Sequence, residues 1–161
     1  MSGTDALAAA VLDAARAKGM TLATAESCTG GLIAGALTEI AGSSDVVDRG
    51  FVTYSNTAKT GMLGVSPTTL AAHGAVSEEV AREMAEGARV HGGVDIAVSV
   101  TGIAGPGGSE HKPEGRVCFG LATAQGVATE TVEFGALGRA QVREATVRHA
   151  LAALLARLRD G

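Results

Sequence analysis

Aromatic residues and excess positive charge are both scarce in this sequence. Its 161 residues include no tryptophan, one tyrosine and three phenylalanines, and the formal net charge is -4. Binding to nucleic acid relies on Lys and Arg at the phosphates and, for single strands, on aromatic rings that stack on bases. We therefore predict no nucleic-acid partner. The core must be built from smaller residues, and a hydrophobic content of 46% is ample for one domain over residues 1–161.

Cysteines and long apolar runs are also few. Cys28 and Cys118 are the only cysteines, too few for a disulfide framework or a cysteine-rich zinc site. Neither H-x-x-x-H nor paired aspartates occur, so no metal or other cofactor is predicted. No apolar run approaches the roughly 20 residues that span a bilayer, and the N-terminus lacks the features of a secretion signal. These absences predict a soluble, cytoplasmic protein without a membrane partner.

Helical and strand-like patterns alternate along the chain. The predicted helices cover residues 5–17, 29–40, 57–63, 66–72, 78–90 and 139–157. The predicted strands cover residues 21–25, 47–55, 94–100, 116–124 and 127–134, with a tight turn at Gln125-Gly126 between the last two. This order predicts a single three-layer α/β/α domain with a mixed, mostly parallel sheet.

The segment AESCTGG, residues 25–31, lies where a predicted strand gives way to a helix. Backbone N–H groups and the positive end of the helix dipole would stabilise an oxyanion there, which suits Ser27 as a nucleophile. The alternative is that Ser27 or Thr29 is an N-cap. Cys28 is either a competing nucleophile or a buried core residue.

A serine nucleophile needs a base, and none of the four histidines lies in an evident motif. The segment YSNTAK, residues 54–59, places Tyr54 at a strand end and Lys59 in the first turns of a helix. A lysine whose amine is kept neutral by burial can serve as the base. A solvated surface lysine is the alternative.

Glycine is abundant, with 23 residues, and it is concentrated in the segment TGIAGPGGSEHKPEG at residues 101–115. This glycine-rich loop matches neither a Walker A motif nor G-x-G-x-x-G, but its backbone N–H groups could still bind phosphate. A mobile loop is the alternative. Arg139 and Arg143 place positive charge at the start of the last helix, where an anionic ligand would compensate for it and solvation is the plain alternative.

Together these segments resemble the C-terminal domain of competence/damage-inducible protein CinA. The matching segments are AESCTGG (25–31), GFVTYSNTAK (50–59), LGV (63–65), HGAVS (73–77), SVTGIAGPGG (99–108) and KPEGRV (112–117). The chain departs from the family's usual KPVG and GDR at Glu114 and Gly138. If Glu114 pointed inward, it would repel a bound phosphate.

The resemblance implies an enzyme of pyridine-nucleotide recycling that assembles as dimers or higher oligomers. It implies hydrolysis of nicotinamide mononucleotide to nicotinic acid mononucleotide and ammonia, with Ser27 as the nucleophile, Lys59 as its base and Tyr54 as an orienting or relaying group. The expected substrate-binding residues are Thr29, Gly30, Gly31, Thr101, Gly102, Gly105, Lys112 and Arg139. A nucleotide-binding or regulatory module without turnover and an amidase that uses the Cys28 thiol are the alternatives.

Overall fold

The computed structural model describes residues 3–160. The helices are α1 (Gly3–Ala17), α2 (Leu32–Thr38), α3 (Asn56–Leu63), α4 (Pro67–His73), α5 (Glu78–Gly92) and α6 (Arg139–Arg159), with a short 3₁₀ helix at Ser43–Asp45. The strands are β1 (Leu22–Glu26), β2 (Val47–Val52), β3 (Ile96–Gly102), β4 (Arg116–Thr123) and β5 (Gly126–Glu133). Every helix and strand that the sequence predicts is present, and most ends agree within a few residues.

The five strands form one sheet in the order β2-β1-β3-β4-β5. Strand β1 runs parallel to both β2 and β3, whereas β4 runs antiparallel to both β3 and β5. The predicted mixed sheet is therefore confirmed, but it is not mostly parallel. The β4–β5 hairpin and the reversal of β4 against β3 make two antiparallel pairs, which equal the two parallel ones.

Helices cover both faces of the sheet, which confirms the three-layer α/β/α architecture. Helices α1, α2 and α6 pack on one face around a core that includes Leu12, Leu37 and Leu154. Helices α3 and α5 pack on the other face, around Leu63 and Met84. No side chain larger than Phe119 fills these cores, as the absence of tryptophan requires.

Two glycines allow close packing on the α5 face. A Cβ atom at Gly87 would lie 2.0 Å from the Leu63 carbonyl oxygen, so α3 ends directly against the α5 backbone. A Cβ atom at Gly120 would lie 2.5 Å from the Ala81 carbonyl oxygen, so α5 sits equally close to β4. Real Cβ atoms do not approach backbone oxygen this closely, and any larger residue would push the helix away from the sheet.

Two boundaries differ from the prediction for local reasons. Helix α2 begins at Leu32 rather than at residue 29, because Gly30 and Gly31 have φ angles of 59° and 107° and continue the turn. The hairpin turn is formed by residues 124–125, because Gly126 already pairs with Thr123. Ser77 is the N-cap of helix α5: its Oγ accepts a hydrogen bond from the Val80 N–H at 3.2 Å.

The parallel pairing brings three chain segments to one edge of the sheet. Beyond the carboxyl end of β1, the Ser27 N–H donates to the Val100 carbonyl of β3 at 3.2 Å. Beyond the end of β2, the Thr53 N–H donates to the Glu26 carbonyl at 2.8 Å. Ligands of open α/β sheets bind outside the carboxyl ends of the strands, where the chain leaves in opposite directions. Strand β1, flanked by β2 and β3, is such a point.

Candidate active site

A cavity of about 370 Å³ lies at this edge of the sheet. Its walls come from the β1–α2 turn, the start of α3, the α4–α5 loop, the glycine-rich loop and the start of α6. The volume falls within the range of roughly 300–1,000 Å³ that small-molecule sites occupy. The cavity is the space into which the predicted catalytic residues project.

Ser27 and Lys59 meet at the base of this cavity. The Lys59 Nζ lies 3.1 Å from the Ser27 Oγ, although 32 positions separate the two residues in sequence. Lys59 is 1% exposed and Ser27 is 9% exposed. The alternative of a solvated surface lysine is therefore wrong, and Ser27 is within reach of a base.

Two backbone carbonyls fix the position of the lysine amine. The Nζ donates to the Thr53 oxygen at 3.0 Å and to the Tyr54 oxygen at 3.3 Å. Burial lowers the pKa of Lys59, and the smaller effects of Cys28 and Glu110 act in the opposite direction. A neutral amine has two N–H groups and one lone pair. In a neutral amine whose N–H groups are both directed to the two carbonyls, the lone pair would face the Ser27 hydroxyl at 3.1 Å, as general-base chemistry requires.

Cys28 is poorly suited to act as the nucleophile. It is 5% exposed and packs in the core that also contains Ile33 and Leu37. Burial, with a further contribution from the charge of Glu26, raises the pKa of the Cys28 thiol to about 11. Near neutral pH the sulfur therefore carries its proton, and a protonated thiol is a weak nucleophile.

Glu26 caps the start of helix α2. Its fully buried carboxylate accepts a hydrogen bond from the Thr29 hydroxyl at 2.6 Å. It also accepts from the backbone N–H groups of Gly31 at 3.2 Å, Ile33 at 2.9 Å and Ala34 at 3.0 Å. The donors of the helix start are thus bound to Glu26 and are not directed at the cavity.

Because Glu26 binds N–H groups at the start of α2, few backbone donors of AESCTGG remain for an oxyanion. The Gly30 N–H is also used, since it donates to the Ser27 carbonyl at 3.0 Å. Among residues 3–160, no hydrogen bond to another residue involves the N–H of Cys28 or of Thr29. Cys28 lines the cavity, so its N–H is available to a ligand, whereas Thr29 is fully buried and does not line the cavity.

The predicted substrate-binding residues fall into two groups. Thr101, Gly102, Gly105 and Arg139 line the cavity. The side chain of Thr101 is 1% exposed, and its hydroxyl donates to the Ala75 carbonyl at 2.8 Å.

The other four predicted residues do not line the cavity. They are Thr29, Gly30, Gly31 and Lys112. The first three belong to the turn that Glu26 caps. The Lys112 ammonium donates to the carbonyl of His73 at 2.8 Å and to that of Val76, and thereby attaches the glycine-rich loop to the α4–α5 loop.

Tyr54 and Arg139 form the outer wall of the cavity. The Arg139 Nη2 donates to the Tyr54 hydroxyl at 2.7 Å, and its Nη1 donates to the Gly105 carbonyl at 2.6 Å. The Tyr54 ring is 61% exposed. Tyr54 therefore contacts Lys59 through its backbone carbonyl, while its hydroxyl faces Arg139.

Glu114 does not point into the cavity, and the expected repulsion of a phosphate is absent. Its Oε1 accepts from the Gly107 N–H at 2.7 Å and its Oε2 accepts from the Gly138 N–H at 3.0 Å. The side chain also fills the space in which a Cβ atom at Gly105 would lie. One carboxylate thus connects the glycine-rich loop to the residue before Arg139.

Sequence reasoning did not assign a role to Glu110 or Asn56, although both line the cavity. Asn56 adjoins the YSNTAK segment that the sequence singled out, and Glu110 lies in the glycine-rich loop. Their position next to or within these segments was the signal that the sequence offered. Such a position indicates that a residue lies near the site, but not whether its side chain reaches the cavity.

Across residues 3–160, no group of three or more His, Cys, Asp or Glu side chains is arranged to hold a metal ion. Within the same range, no helix has the length and apolar character to cross a membrane.

The fold and the cavity define a three-layer α/β protein with a buried serine–lysine pair at the carboxyl edge of its sheet. The family model described as the CinA C-terminal domain matches residues 4–158. The chain belongs to the CinA C-terminal domain family.

Two named relatives share much of the sequence. The nicotinamide-nucleotide amidohydrolase PncC of Escherichia coli (strain K12) is 54% identical over 142 residues, which cover 88% of this chain and 86% of that protein. A CinA-like protein of Chloroherpeton thalassium is 63% identical over 109 residues, which cover 67% of this chain and 26% of that protein. The chain thus spans about a quarter of the length of that larger relative.

A solved structure has the same fold. The competence/damage inducible protein CihA from Agrobacterium tumefaciens superimposes with a TM-score of 0.94 at 51% sequence identity. The match covers 99% of this chain and 98% of that one.

Proposed function

We propose that this chain is a nicotinamide-nucleotide amidase, which hydrolyses nicotinamide mononucleotide to nicotinic acid mononucleotide and ammonia in pyridine-nucleotide recycling. The observation that carries the proposal is the buried pair of Ser27 and Lys59, with 3.1 Å between Oγ and Nζ, at the base of a cavity. The name of the E. coli relative, at 54% identity, supports the substrate.

The first half of the reaction transfers the acyl group to the serine. Neutral Lys59 accepts the Ser27 proton as Oγ attacks the carboxamide carbon, and a C–O bond forms. The N–H group of Cys28 stabilises the resulting oxyanion. Lys59 then passes the proton to the amide nitrogen, the C–N bond breaks, and ammonia leaves.

The second half releases the acid. Lys59 accepts a proton from water, whose oxygen attacks the acyl carbon of the ester. The C–Oγ bond breaks, Ser27 regains its proton from Lys59, and nicotinic acid mononucleotide departs. Water supplies the oxygen of the new carboxyl group, so neither a metal nor a cofactor is needed.

The outer wall binds the rest of the nucleotide. Arg139 and the N–H groups of the glycine-rich loop supply positive charge and donors for a phosphate. Thr101, Gly102 and Gly105 line the path between this wall and Ser27. The Tyr54 hydroxyl, held by Arg139 at 2.7 Å, lies beside the ligand and can relay a proton to departing ammonia.

The test is to incubate the purified protein with nicotinamide mononucleotide and to measure both ammonia and the nucleotide product. We expect equal amounts of ammonia and nicotinic acid mononucleotide from the wild type, and none above background from Ser27→Ala. Saturable nucleotide binding without ammonia from the wild type would overturn the proposal in favour of a binding module. Normal turnover by Ser27→Ala would overturn the assignment of the nucleophile.

Assembly into dimers or higher oligomers, a cytoplasmic location and the lack of a nucleic-acid partner are further parts of this proposal. Sedimentation of the purified protein tests the first of them. Retention on an anionic DNA column at low salt would contradict the last.

A further inference from the structure

Two arginines at the start of α6 have different surroundings. Arg139 faces the outer wall of the cavity, where it contacts Tyr54 and Gly105. Arg143, one turn further along, does not line the cavity and faces the β1–α2 turn. The proposed reaction above uses Arg139 but gives Arg143 no part.

In the described part of the chain, the half-buried Arg143 guanidinium donates hydrogen bonds only to backbone oxygens. Its Nε donates to the Cys28 carbonyl at 3.1 Å, and its Nη2 donates to the Thr29 carbonyl at 3.3 Å. No carboxylate among residues 3–160 forms an ion pair with it. Since 115 positions separate Arg143 from Cys28, the contact is set by the packing of α6 and not by local sequence.

These two carbonyls determine where the neighbouring N–H groups point. In a trans peptide, the N–H points opposite to the C=O of the same unit. The Cys28 carbonyl shares its peptide unit with the Thr29 N–H, so Arg143 fixes that N–H directly. The Thr29 carbonyl shares its unit with the Gly30 N–H, which donates to the Ser27 carbonyl at 3.0 Å. The Ser27 carbonyl in turn shares its unit with the Cys28 N–H.

Resting on the proposed function, we infer that Arg143 is a positioning residue for the oxyanion hole. It holds the carbonyls of Cys28 and Thr29 and, through the hydrogen bond from the Gly30 N–H to the Ser27 carbonyl, the peptide unit that carries the Cys28 N–H. Arg143 touches neither the substrate nor Lys59, so it acts on the rate of the chemical step through the backbone alone. Arg139, by contrast, acts on binding.

The test compares Arg143→Lys and Arg143→Gln with the matched control Arg139→Gln in steady-state hydrolysis of nicotinamide mononucleotide. Removing a preorganised oxyanion donor costs about 10²–10³ in kcat. In either Arg143 variant the oxyanion donor remains but loses its alignment. We therefore expect kcat to fall by about tenfold to a hundredfold, with KM within about twofold of the wild-type value. Arg139→Gln should raise KM more than it lowers kcat. Equilibrium binding of nicotinic acid mononucleotide should be unchanged in both Arg143 variants.

A second readout does not depend on the natural substrate. A fluorophosphonate reacts with a serine to form an O–P bond, with loss of fluoride and transfer of the serine proton to the base. Its phosphoryl oxygen occupies the place of the oxyanion. The rate at which Ser27 is labelled, followed by mass spectrometry, should fall about tenfold or more in Arg143→Lys but stay close to wild type in Arg139→Gln.

The outcomes separate the two proposals. An Arg143→Lys protein with normal kcat and normal labelling would overturn the role of Arg143 while the amidase assignment stands. Wild-type protein that releases no ammonia would overturn the assignment, and the labelling rates would still decide the role of Arg143. A loss of labelling that follows a loss of folded protein, measured by circular dichroism, would show a structural role only and overturn the inference.

Discussion

The inner and outer walls of the cavity are built in different ways. The inner wall, with Ser27 and Lys59, follows the ends of strands β1 and β2, and both side chains are almost fully buried, as is the Glu26 carboxylate behind them. The outer wall, with Tyr54 and Arg139, is largely exposed and rests on loops. Buried polar groups must be hydrogen-bonded and so acquire a fixed geometry, whereas exposed groups can adjust to a ligand. For the proposed amidase, this difference predicts that the inner wall carries out the chemical step and that the outer wall recognises the substrate.

The largest effect is expected at the base on the inner wall. Lys59→Met keeps the length and the apolar stem of the side chain but removes the amine. Since general-base catalysis contributes about 10²–10⁴-fold, we expect kcat to fall by about a thousandfold. The measurement is ammonia release at saturating substrate.

The pH dependence of the wild type provides the control for Lys59. Because burial lowers the pKa of Lys59, the active neutral amine forms below the usual value of 10.5. The rate should therefore rise with pH, with the midpoint of the rise below pH 10.5, since deprotonation activates the base. Activity that instead decreased as the amine lost its proton would contradict the role of a base.

The next effect concerns the stability of the inner wall. Glu26→Ala leaves the N–H groups of Gly31, Ile33 and Ala34 without their buried acceptor. An unsatisfied buried group costs about 1–3 kcal/mol, so we expect the free energy of unfolding in urea to fall by about 3 kcal/mol or more. Glu26→Gln, which retains one acceptor oxygen, should lose less. Equal stability of the alanine variant and the wild type would show that the cap contributes nothing.

A smaller effect is expected on the outer wall. Glu114→Ala removes the connection between the N–H groups of Gly107 and Gly138, next to Arg139. Loss of hydrogen bonds to a charged group costs about 1.5–3 kcal/mol, part of which solvent recovers at this half-exposed site. We expect KM for nicotinamide mononucleotide to rise about fivefold to tenfold while kcat stays within about twofold.

Glu114→Gln keeps the shape of the side chain and one acceptor, so its KM should lie between those of the wild type and the alanine variant. If kcat fell in Glu114→Ala while KM stayed constant, the outer wall would also govern chemistry. The comparison between the walls would then fail.

The smallest effect is expected at Cys28, which lies beside the nucleophile without taking part. Burial raises the pKa of its thiol to about 11, so alkylation near neutral pH should be slow. Cys28→Ala should retain kcat within about twofold, because only a small buried side chain is truncated. Rapid inactivation of the wild type by iodoacetamide, absent in Cys28→Ala, would instead indicate a thiol amidase.

The sequence predicted the elements more fully than the site. Helix and strand periodicity sufficed for the order of elements, since these patterns are local. Ser27 and Lys59 were singled out by chemistry and by resemblance, and the structure brings them together. The direction of pairing at β4 was misjudged, because which strand neighbours which depends on packing and not on periodicity.

The roles of Glu26, Glu114 and Arg143 were not predicted because each depends on contacts with backbone atoms. The Arg143 contact joins positions 115 residues apart, and its acceptor is a carbonyl that every residue carries. No side-chain pattern marks such a partner. A carboxylate at position 114 can equally face a ligand or a loop, and the fold alone decides between them.

The backbone contacts of the Lys59 amine affect which substitutions the site can tolerate. The two oxygens that orient its amine belong to the main chain at Thr53 and Tyr54. A substitution at either position changes the side chain but leaves the carbonyl in place. The position of the Lys59 amine therefore does not depend on which side chains occupy positions 53 and 54. The Tyr54 side chain has no part in holding the amine, and its hydroxyl contacts Arg139 instead.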